Sequence, residues 1–243
     1  MGETANHSYD LVIIGAGSAG LTAAEFSAQL GQRVALVEKG RIGGDCTWTG
    51  CVPSKALLKA AKLAHQIRTA QQYGLGDGGL IVDFSAVMDR VNGVVNQVYQ
   101  AETPEVLRGK GIDVIEGGAR FINAKTLAVE TSGPGQDNLN LTARRFIIAT
   151  GARPLVPPIP GLEGVDHLSY ETVWGLRELP SRLIVVGAGP IGCELAQAFC
   201  RLGSSVTLIE GADRVLLQDE PEAAELISNH LIQDGVSLLL NLP

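Results

Sequence analysis

The chain has 243 residues, of which 45% are hydrophobic and 19% are charged, and its formal net charge at pH 7 is −7. This length supports one large domain or two modest domains, each with a core of its own. An acidic chain without a run of basic residues is a poor binder of nucleic acid or of an anionic membrane surface, so neither partner is expected.

The chain also lacks the marks of a secreted or membrane protein. The first seven residues are acidic and polar, and they resemble neither a secretory signal nor an arginine-rich transit peptide. No apolar run is long enough to span a bilayer. Four cysteines in a chain of this length do not make a disulfide scaffold. A cytoplasmic location is therefore expected.

The chain begins with a strand, turn, helix and strand pattern. The apolar run 11–14 is typical of a parallel strand covered on both faces, and a G-x-G-x-x-G fingerprint follows at Gly15, Gly17 and Gly20. These glycines permit a tight turn, a close approach of the backbone to a pyrophosphate, and close packing of helix on strand. The second strand ends at Glu38, whose carboxylate is suited to binding both hydroxyls of an adenosine ribose. A merely tight strand–helix turn, the alternative, does not explain this acid.

The stretch 43–55 contains two cysteines in a C-x4-C spacing, Cys46 and Cys51, with glycines before and between them. In a regular helix their Cα atoms would be about 8–9 Å apart, whereas a disulfide requires roughly 4.4–6.8 Å. A bond therefore needs an irregular turn, which Gly50 permits. Pro53 suits the first turn of a helix, so Cys51 is predicted at a helix N-terminus, where the dipole stabilises a thiolate. This pattern favours a disulfide that opens and closes, and a structural bridge or two idle thiols is the alternative.

Two long helices are predicted after the cysteines. The first covers 54–72 and has an apolar stripe. Lys55 lies at its start, where the dipole makes a positive charge slightly unfavourable, so a specific partner such as a flavin ring edge or a carboxylate is predicted. Asp83 or Ser85 is the predicted cap of the second helix, which is expected to run to about residue 107.

The next part of the chain alternates short apolar runs with turns. Short strands are predicted at 112–115, 119–121, 126–129 and 139–141, with a Gly-Pro-Gly turn at 133–135. The run 146–151 is predicted as a buried strand that ends at Thr150 and Gly151, on the sheet edge where α/β proteins bind ligands. The proline-rich stretch 154–161 is the predicted domain crossing.

The segment from residue 183 repeats the start of the chain. Gly187, Gly189 and Gly192 each lie 172 positions after the corresponding glycine of the first fingerprint, and Glu210 lies 172 positions after Glu38. Two dinucleotide-binding units predict two bound nucleotides, one per unit. The predicted fold class is α/β, with two Rossmann-like domains of three-layer ββα architecture.

Five side chains of the second unit need an interpretation. Glu210 favours a free ribose 2′-hydroxyl and therefore NADH over NADPH, although Arg214 is a nearby arginine of the kind that accommodates a 2′-phosphate. Glu194, on the predicted first turn of the helix after the second fingerprint, either compensates the helix dipole or faces Lys55 across the domain boundary. Cys193 and Cys200 lie seven residues apart on one helix face, and packing explains both.

Together these motifs resemble the flavoprotein disulfide reductases, which are pyridine nucleotide-disulfide oxidoreductases such as lipoamide dehydrogenase, glutathione reductase and mercuric reductase. The mercuric reductase-like branch is the most similar, and the resemblance covers essentially the whole chain. It implies FAD at the first fingerprint and NAD(P)H, with NADH preferred, at the second. The implied FAD-binding residues are Gly15, Gly17, Ser18, Ala19, Gly20, Glu38, Lys39, Gly44, Asp45, Thr150 and Gly151. The implied NAD(P)H-binding residues are Gly187, Gly189, Gly192 and Glu210.

The resemblance also implies a reaction. Electrons would pass from NAD(P)H through FAD to a redox-active Cys46–Cys51 disulfide, and then to a small-molecule disulfide or a soft metal ion. The protein itself would hold no metal. The resemblance makes the two cysteines catalytic and assigns Lys55 and Glu194 to a pair beside the flavin.

The chain differs from the family motif within the cysteine segment, and it is shorter than family members. Asp45 replaces a threonine of the motif, and Trp48 and Thr49 replace its Asn-Val. The predicted domains are an FAD-binding domain over 1–155 and an NAD(P)H-binding domain over 156–243.

Family members are about twice as long as this chain. We therefore expect that the second domain is truncated, that a C-terminal dimerisation domain is absent, that the full-length protein is a homodimer and that the fragment alone is inactive. Two alternatives stay open: a nucleotide-binding module without turnover, and an NADH dehydrogenase or oxidase with structural cysteines.

Overall fold

A computed structural model of the chain describes residues 6–76, 79–131 and 139–242. The predicted turn at 133–135 lies outside these residues. The described strands are β1 (Asn6–Ile14), β2 (Val34–Glu38), β3 (Ile112–Asn123), β4 (Thr126–Thr131), β5 (Leu139–Ile148), β6 (Arg182–Val186), β7 (Ser205–Ile209) and β8 (Ser237–Leu239). The described α-helices are α1 (Ser18–Gln29), α2 (Gly44–Trp48), α3 (Cys51–Thr69), α4 (Phe84–Tyr99), α5 (Pro104–Gly109), α6 (Pro190–Leu202) and α7 (Pro221–Gln233).

The chain divides into two compact units. The first comprises Met1–Val52 and Val95–Val165, and the second comprises Pro53–Val94 and Asp166–Pro243. Helix α3 therefore begins in the first unit and continues into the second. The predicted assignment of one nucleotide to residues 1–155 and another to 156–243 stays a prediction.

The first unit contains a parallel sheet that continues into an antiparallel meander. Strands β1, β2 and the first half of β3 are parallel, β5 pairs in parallel with β1, and β3, β4 and β5 pair antiparallel. Strand β3 changes its partner from β2 to β4 at Gly117, where a Cβ atom would lie 2.4 Å from the carbonyl oxygen of Glu130. Glycine is required here because the neighbouring backbone occupies the space of a side chain.

Four of the strand predictions were wrong in extent. The predicted strands 112–115 and 119–121 are parts of the single strand β3, and 139–141 joins the first half of 146–151 in β5. The polar residues and glycines that interrupt each apolar pattern stay extended because neighbouring strands pair with them, β2 and then β4 along β3, and β1 and β4 along β5.

The helix predictions were also partly wrong. Helix α3 covers Cys51–Thr69 rather than 54–72, and a short 3-10 helix, Ala70–Tyr73, follows it. Asp83 rather than Ser85 caps α4, because its side chain accepts a hydrogen bond from the backbone N–H of Ala86 at 3.0 Å. The predicted second long helix ends at Tyr99, and α5 begins anew with Pro104 in its first turn and Thr103 as its cap.

Two apolar clusters lie on opposite faces of the parallel sheet of the first unit. One includes Leu21, Leu36 and Leu107 and lies on the side of α1 and α5. The other includes Val12 and Leu127 and lies against the meander. Helices, parallel sheet and meander therefore form three layers, as the fold class predicted.

The second unit repeats the start of the first. Strands β6, β7 and β8 are parallel, and the pairing of Leu183 with Val206 has the same offset as the pairing of Leu11 with Val34. Its core joins α6 and α7 to the apolar faces of α3 and α4. One buried carboxylate, Asp234 at the end of α7, contacts side chains of α3 and α6. It lies 3.2 Å from His65 Nδ1 and 2.9 Å from Arg201 Nη2, and it accepts a 2.8 Å hydrogen bond from Gln197.

The close approach of helix and strand gives a stability prediction. A Cβ atom on Gly192 would lie 1.9 Å from the carbonyl oxygen of Gly187, whereas one on Gly93, inside α4, would have no neighbour within 4 Å. We expect Gly192→Ala to lower the unfolding free energy by about 2 kcal/mol or more. Gly93→Ala should raise it by roughly 0.5–1 kcal/mol, since alanine favours a helix. Urea unfolding followed by circular dichroism measures both changes in unfolding free energy. Equal changes in the two variants would contradict the close approach of Gly192 to the carbonyl oxygen of Gly187.

Candidate functional site

The two glycine fingerprints form turns of the same geometry. Gly15 and Gly187 have φ angles of +103° and +97°, in the left-handed region that favours glycine. The N–H of Gly15 donates to Val37 and that of Gly187 donates to Ile209, both at 2.8 Å. The repeat seen in the sequence is therefore a repeat of backbone structure.

The third glycine of each fingerprint allows the helix to approach the turn. A Cβ atom on Gly20 would lie 1.8 Å from the carbonyl oxygen of Gly15, and one on Gly192 would lie 1.9 Å from that of Gly187. Any side chain would push the helix away from its strand. The first turns of α1 and α6 are thereby held at the carboxyl ends of β1 and β6.

Helices α1 and α6 begin without the usual side-chain caps. Within the described residues, no side chain caps the N-terminus of either helix, and neither first turn contains an acidic residue. By contrast, Thr103 caps α5, and Glu105 lies in its first turn. The N–H groups of an uncapped helix start are donors for an anion, and the helix dipole adds to the attraction. Both starts therefore fit a pyrophosphate.

The space in front of the two turns is compatible with a phosphate group. A Cβ atom built on Gly189 would have no neighbour within 4 Å, and one built on Gly17 would meet only the Cα of Gly44, at 3.8 Å. Ser18 and Ala19, the first residues of α1, are exposed. These two turns are cradles that a side chain on the second glycine would fill.

A glutamate at the end of β2 or β7 accepts hydrogen bonds from the backbone of each glycine turn. Glu38 accepts hydrogen bonds from the N–H groups of Ala16 at 2.6 Å and Gly40 at 2.7 Å, one on each carboxylate oxygen. Glu210 makes the equivalent bonds with Ala188 at 2.7 Å and Ala212 at 3.0 Å. A carboxylate oxygen has a second lone pair, so each acid keeps acceptor capacity for ribose hydroxyls.

The backbone also fixes the charge of Glu210. The N–H groups of Ala212 and Ala188 stabilise its carboxylate, and they hold the pKa of Glu210 below its ordinary value although partial burial opposes them. The second turn therefore contains a negative charge at neutral pH.

The cysteine segment lies directly against the first glycine turn. The N–H of Gly43 donates to the carbonyl of Ala16 at 2.8 Å. A Cβ atom on Gly44 would lie 2.7 Å from the Cα of Gly17, so only glycine allows this contact. Helix α2, which contains Cys46, starts at this point.

The predicted irregular turn between the cysteines is present. Helix α2 ends at Trp48, α3 begins at Cys51, and the N–H of Gly50 donates to the carbonyl of Asp45 at 2.5 Å. A Cβ atom on Gly50 would lie only 3.4 Å from the Cα of Cys46. The turn thus brings the residue before Cys51 close to Cys46, while the disulfide itself stays a prediction.

The structure places the remaining predicted FAD residues as follows. Thr150 follows β5 and lies beside the first turn, since its Cα would be 3.1 Å from a Cβ atom on Gly15. Gly151 is the next residue, and its φ angle is +69°. Asp45 is in the first turn of α2. Lys39 is exposed after β2. Their contacts with FAD stay predictions.

Lys55 and Glu194 are brought together. Lys55 Nζ lies 2.6 Å from Glu194 Oε1, with side chains that are 61% and 32% exposed. Glu194 is the fifth residue of α6, beyond its first turn, so the contact with Lys55 explains its position better than the helix dipole does. Both residues belong to the second unit.

The other two cysteines have the environment of packed residues. Burial raises the pKa of the Cys193 thiol to about 11, and burial likewise raises the pKa of the Cys200 thiol. Both sulfurs lie near backbone carbonyl oxygens, of Ala188 and of Asp234 respectively. Because the thiolate is the reactive form, these residues are poor nucleophiles at neutral pH.

Sequence reasoning missed four residues around the cysteine segment. Glu102 accepts a hydrogen bond from the Thr47 hydroxyl at 2.8 Å, and Tyr99 and Arg41 pack on the ring of Trp48. Thr47 and Glu102 are 55 positions apart, and no local pattern links them. Within the described residues, no group of three or more His, Cys, Asp or Glu side chains is arranged to hold a metal ion.

Two glycine turns closed by acids, with a C-x4-C segment against the first turn, define a class of oxidoreductases that bind two nucleotides. The chain belongs to the pyridine nucleotide-disulphide oxidoreductase family, whose family model matches residues 9–242. This confirms the resemblance to the flavoprotein disulfide reductases. The family depends on FAD and uses NAD(P)H.

Relatives with different named activities are similarly close. The chain is 37% identical over 239 residues to a mercuric reductase from Bacillus cereus, covering 98% of this chain and 37% of the relative. It is 37% identical over 231 residues to a dihydrolipoyl dehydrogenase from Bacillus subtilis strain 168, covering 94% of this chain and 49% of the relative.

A solved structure supports the same fold. The Cu(II) complex of the HOCl-induced flavoprotein disulfide reductase RclA from Escherichia coli matches with a TM-score of 0.80 at 34% identity. The match covers 98% of this chain and 50% of that chain. The chain thus spans half or less of the length of these relatives. No helix in the described residues is long and apolar enough to cross a membrane.

The carboxylate of Glu210 gives a pH prediction. A carboxyl group whose pKa is lowered by folding stabilises the fold above its unfolded pKa, about 4.3, and loses that contribution as the pH falls through the folded pKa. The stability advantage of the wild-type chain over Glu210→Gln should therefore be largest above about pH 5 and shrink below it. Urea unfolding between pH 3.5 and 7 measures this difference in unfolding free energy. Glu222→Gln, which removes an exposed carboxylate on α7, is the control for the effect of losing one negative charge. A difference that is constant with pH would contradict the expectation.

Proposed function

We propose that the chain is the nucleotide-binding and dithiol half of an FAD-dependent NAD(P)H oxidoreductase in which Cys46 and Cys51 form a redox-active pair. The observation that carries this proposal is the contact between the cysteine segment and the first glycine turn at Gly43 and Gly44. A disulfide reduced by a flavin has to lie next to the flavin-binding turn, and a merely structural bridge has no reason to do so.

FAD would be held by the first glycine turn, with its pyrophosphate on the N–H groups of Ser18 and Ala19 and its adenosine ribose on Glu38. NAD(P)H would be held in the same way by Gly187, Gly189, Gly192 and Glu210. When bound, FAD supplies the chemistry that accepts a hydride from NAD(P)H and passes two electrons to the disulfide.

The two cysteines would then carry out thiol–disulfide exchange. Two electrons and two protons convert the disulfide into a dithiol. The Cys46 thiolate attacks one sulfur of a substrate disulfide and releases the first substrate thiol. The Cys51 thiolate then attacks the Cys46 sulfur, which releases the second substrate thiol and restores the protein disulfide.

The substrate is proposed as a class, a small-molecule disulfide or a soft metal ion. Two neighbouring thiolates are soft ligands, so a metal such as the mercuric ion named for one relative is chemically compatible with the same pair. The dihydrolipoyl dehydrogenase relatives favour a small dithiol–disulfide couple instead.

Lys55 and Glu194 are proposed to act together, with Lys55 as the cation that tunes the flavin and Glu194 as the group that orients Lys55. The 2.6 Å contact supports the pairing. An ion pair this exposed contributes little to stability, so stability alone gives a weak reason for it.

NADH is the proposed nucleotide at the second turn. A 2′-phosphate on the ribose would approach the ionised carboxylate of Glu210, and two negative charges that lie close together repel each other. Arg214 donates to the carbonyl oxygens of Leu217 at 2.7 Å and Asp219 at 3.2 Å, so its guanidinium group is already engaged by its own loop. For the full-length protein we propose a cytoplasmic homodimer.

The nucleotide preference is the first test. The wild-type chain should bind NADPH at least about tenfold more weakly than NADH, and Glu210→Ala should reduce this ratio because it removes the repelling charge. Isothermal titration calorimetry measures both dissociation constants. Arg214→Ala is the matched control and should leave the ratio within about twofold. A wild-type chain that binds NADPH as tightly as NADH would refute the preference.

Counting thiols tests the electron path. Reduction of the pair by NADH through FAD needs no turnover of substrate, so it is expected even of a chain that is inactive as an enzyme. The oxidised chain with FAD should show two reactive thiols after denaturation, from Cys193 and Cys200, and all four cysteines should react after anaerobic addition of NADH. Cys51→Ala should show three thiols before and after NADH. Cys193→Ala, the control, should still gain two. An NADH oxidase with a structural bridge would release no thiols, and a binding module would not oxidise NADH.

A further inference from the structure

Helix α2 is too short to be stable by itself. It spans five residues, Gly44–Trp48, and Cys46 is its third residue. Isolated helices shorter than about 12–15 residues are marginal in water. The position of Cys46 therefore depends on contacts that α2 makes with the rest of the first unit.

The residue after Cys46 is held by a carboxylate. Thr47 is only 2% exposed, and its hydroxyl donates to Glu102 Oε2 at 2.8 Å. A hydrogen bond from a hydroxyl group to a carboxylate is stronger than one between neutral groups. A Cβ atom on Gly43 would lie 2.8 Å from the same Glu102 oxygen, so the carboxylate packs closely on the start of α2.

Trp48, the residue after Thr47, has contacts on several sides. The indole N–H of Trp48 donates to the carbonyl of Ile42 at 2.7 Å. The ring of Tyr99 lies 4.9 Å from the Trp48 ring, and the guanidinium carbon of Arg41 lies 3.4 Å from its centroid. Aromatic and cation–π contacts of this kind fix a side chain in one orientation.

The turn at the end of α4 contacts both Thr47 and Trp48. Tyr99 is the last residue of α4, and the N–H of Glu102 donates to the carbonyl of Tyr99 at 2.8 Å. The turn at the end of α4 therefore holds two successive residues, Thr47 and Trp48, directly after Cys46. All of these residues belong to the first unit.

We propose that Glu102 and Tyr99 are positioning residues that stabilise the Cys46–Cys51 disulfide against reduction. The inference rests on the proposed redox role of the two cysteines. Forming a bond between two cysteines costs less conformational entropy when one of them is already held near the other. Loosening α2 should therefore favour the dithiol.

The test is a redox titration of the 243-residue chain in glutathione buffers. In this equilibrium the protein disulfide and two molecules of reduced glutathione give the protein dithiol and one oxidised glutathione. Thr47→Val removes the hydroxyl donor and should shift the equilibrium constant about tenfold toward the dithiol, which corresponds to about 30 mV for a two-electron couple. Alkylation followed by peptide mass spectrometry measures the fraction of Cys46 and Cys51 that is reduced.

Three further variants separate positioning from general stability. Thr47→Ser keeps the hydroxyl and should stay within about threefold of wild type. Tyr99→Ala removes the ring that packs on Trp48 and should shift the equilibrium in the same direction as Thr47→Val. Ser204→Ala removes a buried hydroxyl bonded to Pro180 in the second unit, and it should leave the equilibrium unchanged.

The outcomes distinguish this inference from the proposed function. If wild-type Cys46 and Cys51 form no disulfide in any glutathione buffer, both the redox role and this inference are refuted. If the wild-type pair titrates and folded Thr47→Val and Tyr99→Ala have the same equilibrium constant as wild type, only the positioning role is refuted. Far-UV circular dichroism establishes that each variant is folded.

Discussion

A contact between two backbone segments controls the geometry of each glycine turn. Gly20 and Gly192 lie so close to the carbonyl oxygens of Gly15 and Gly187 that no other residue type fits. This contact sets the angle at which α1 and α6 leave their strands, and it places each uncapped N-terminus in front of the sheet of its own unit. The cradle at each turn is therefore built from backbone groups alone. A phosphate that binds there needs no specific side chain, which explains why the fingerprint consists of glycines.

The two turns share this construction, but their surroundings differ. Gly17 in the first turn has the backbone of Gly44 beside it, and the segment with Cys46 starts from that contact. Gly189 in the second turn has open space, and Pro190 follows it at the start of α6. The C-x4-C segment thus lies against only one of the two glycine turns. This difference fits a division in which the second site binds a diffusible coenzyme and the first holds the group that does the redox chemistry.

The parts of the fold that could be predicted from the sequence are those that depend on neighbours in the chain. The glycine spacing, the acids Glu38 and Glu210, and the break at Gly50 all act within a few residues or within one strand–helix–strand unit. The break between α4 and α5 also had a local signal, a threonine cap before Pro104. The prediction followed the apolar stripe instead and extended one helix across the break. The joining of short runs into β3 and β5 had none, because partner strands distant in the sequence keep their polar residues extended.

The contacts around α2 show the same limit at the site itself. Cys46, Cys51 and the glycines between them are visible as a motif, but the residues that fix Cys46 are not. Tyr99 ends, and Glu102 follows, a helix whose stripe only predicts packing, and the fold brings both residues to Thr47 and Trp48. The family resemblance does not supply them either, since Trp48 and Thr49 stand where the family motif has Asn-Val. A redox motif shared by many relatives therefore leaves room for each protein to set the stability of its disulfide from outside the motif. In this chain that control would belong to the turn after α4.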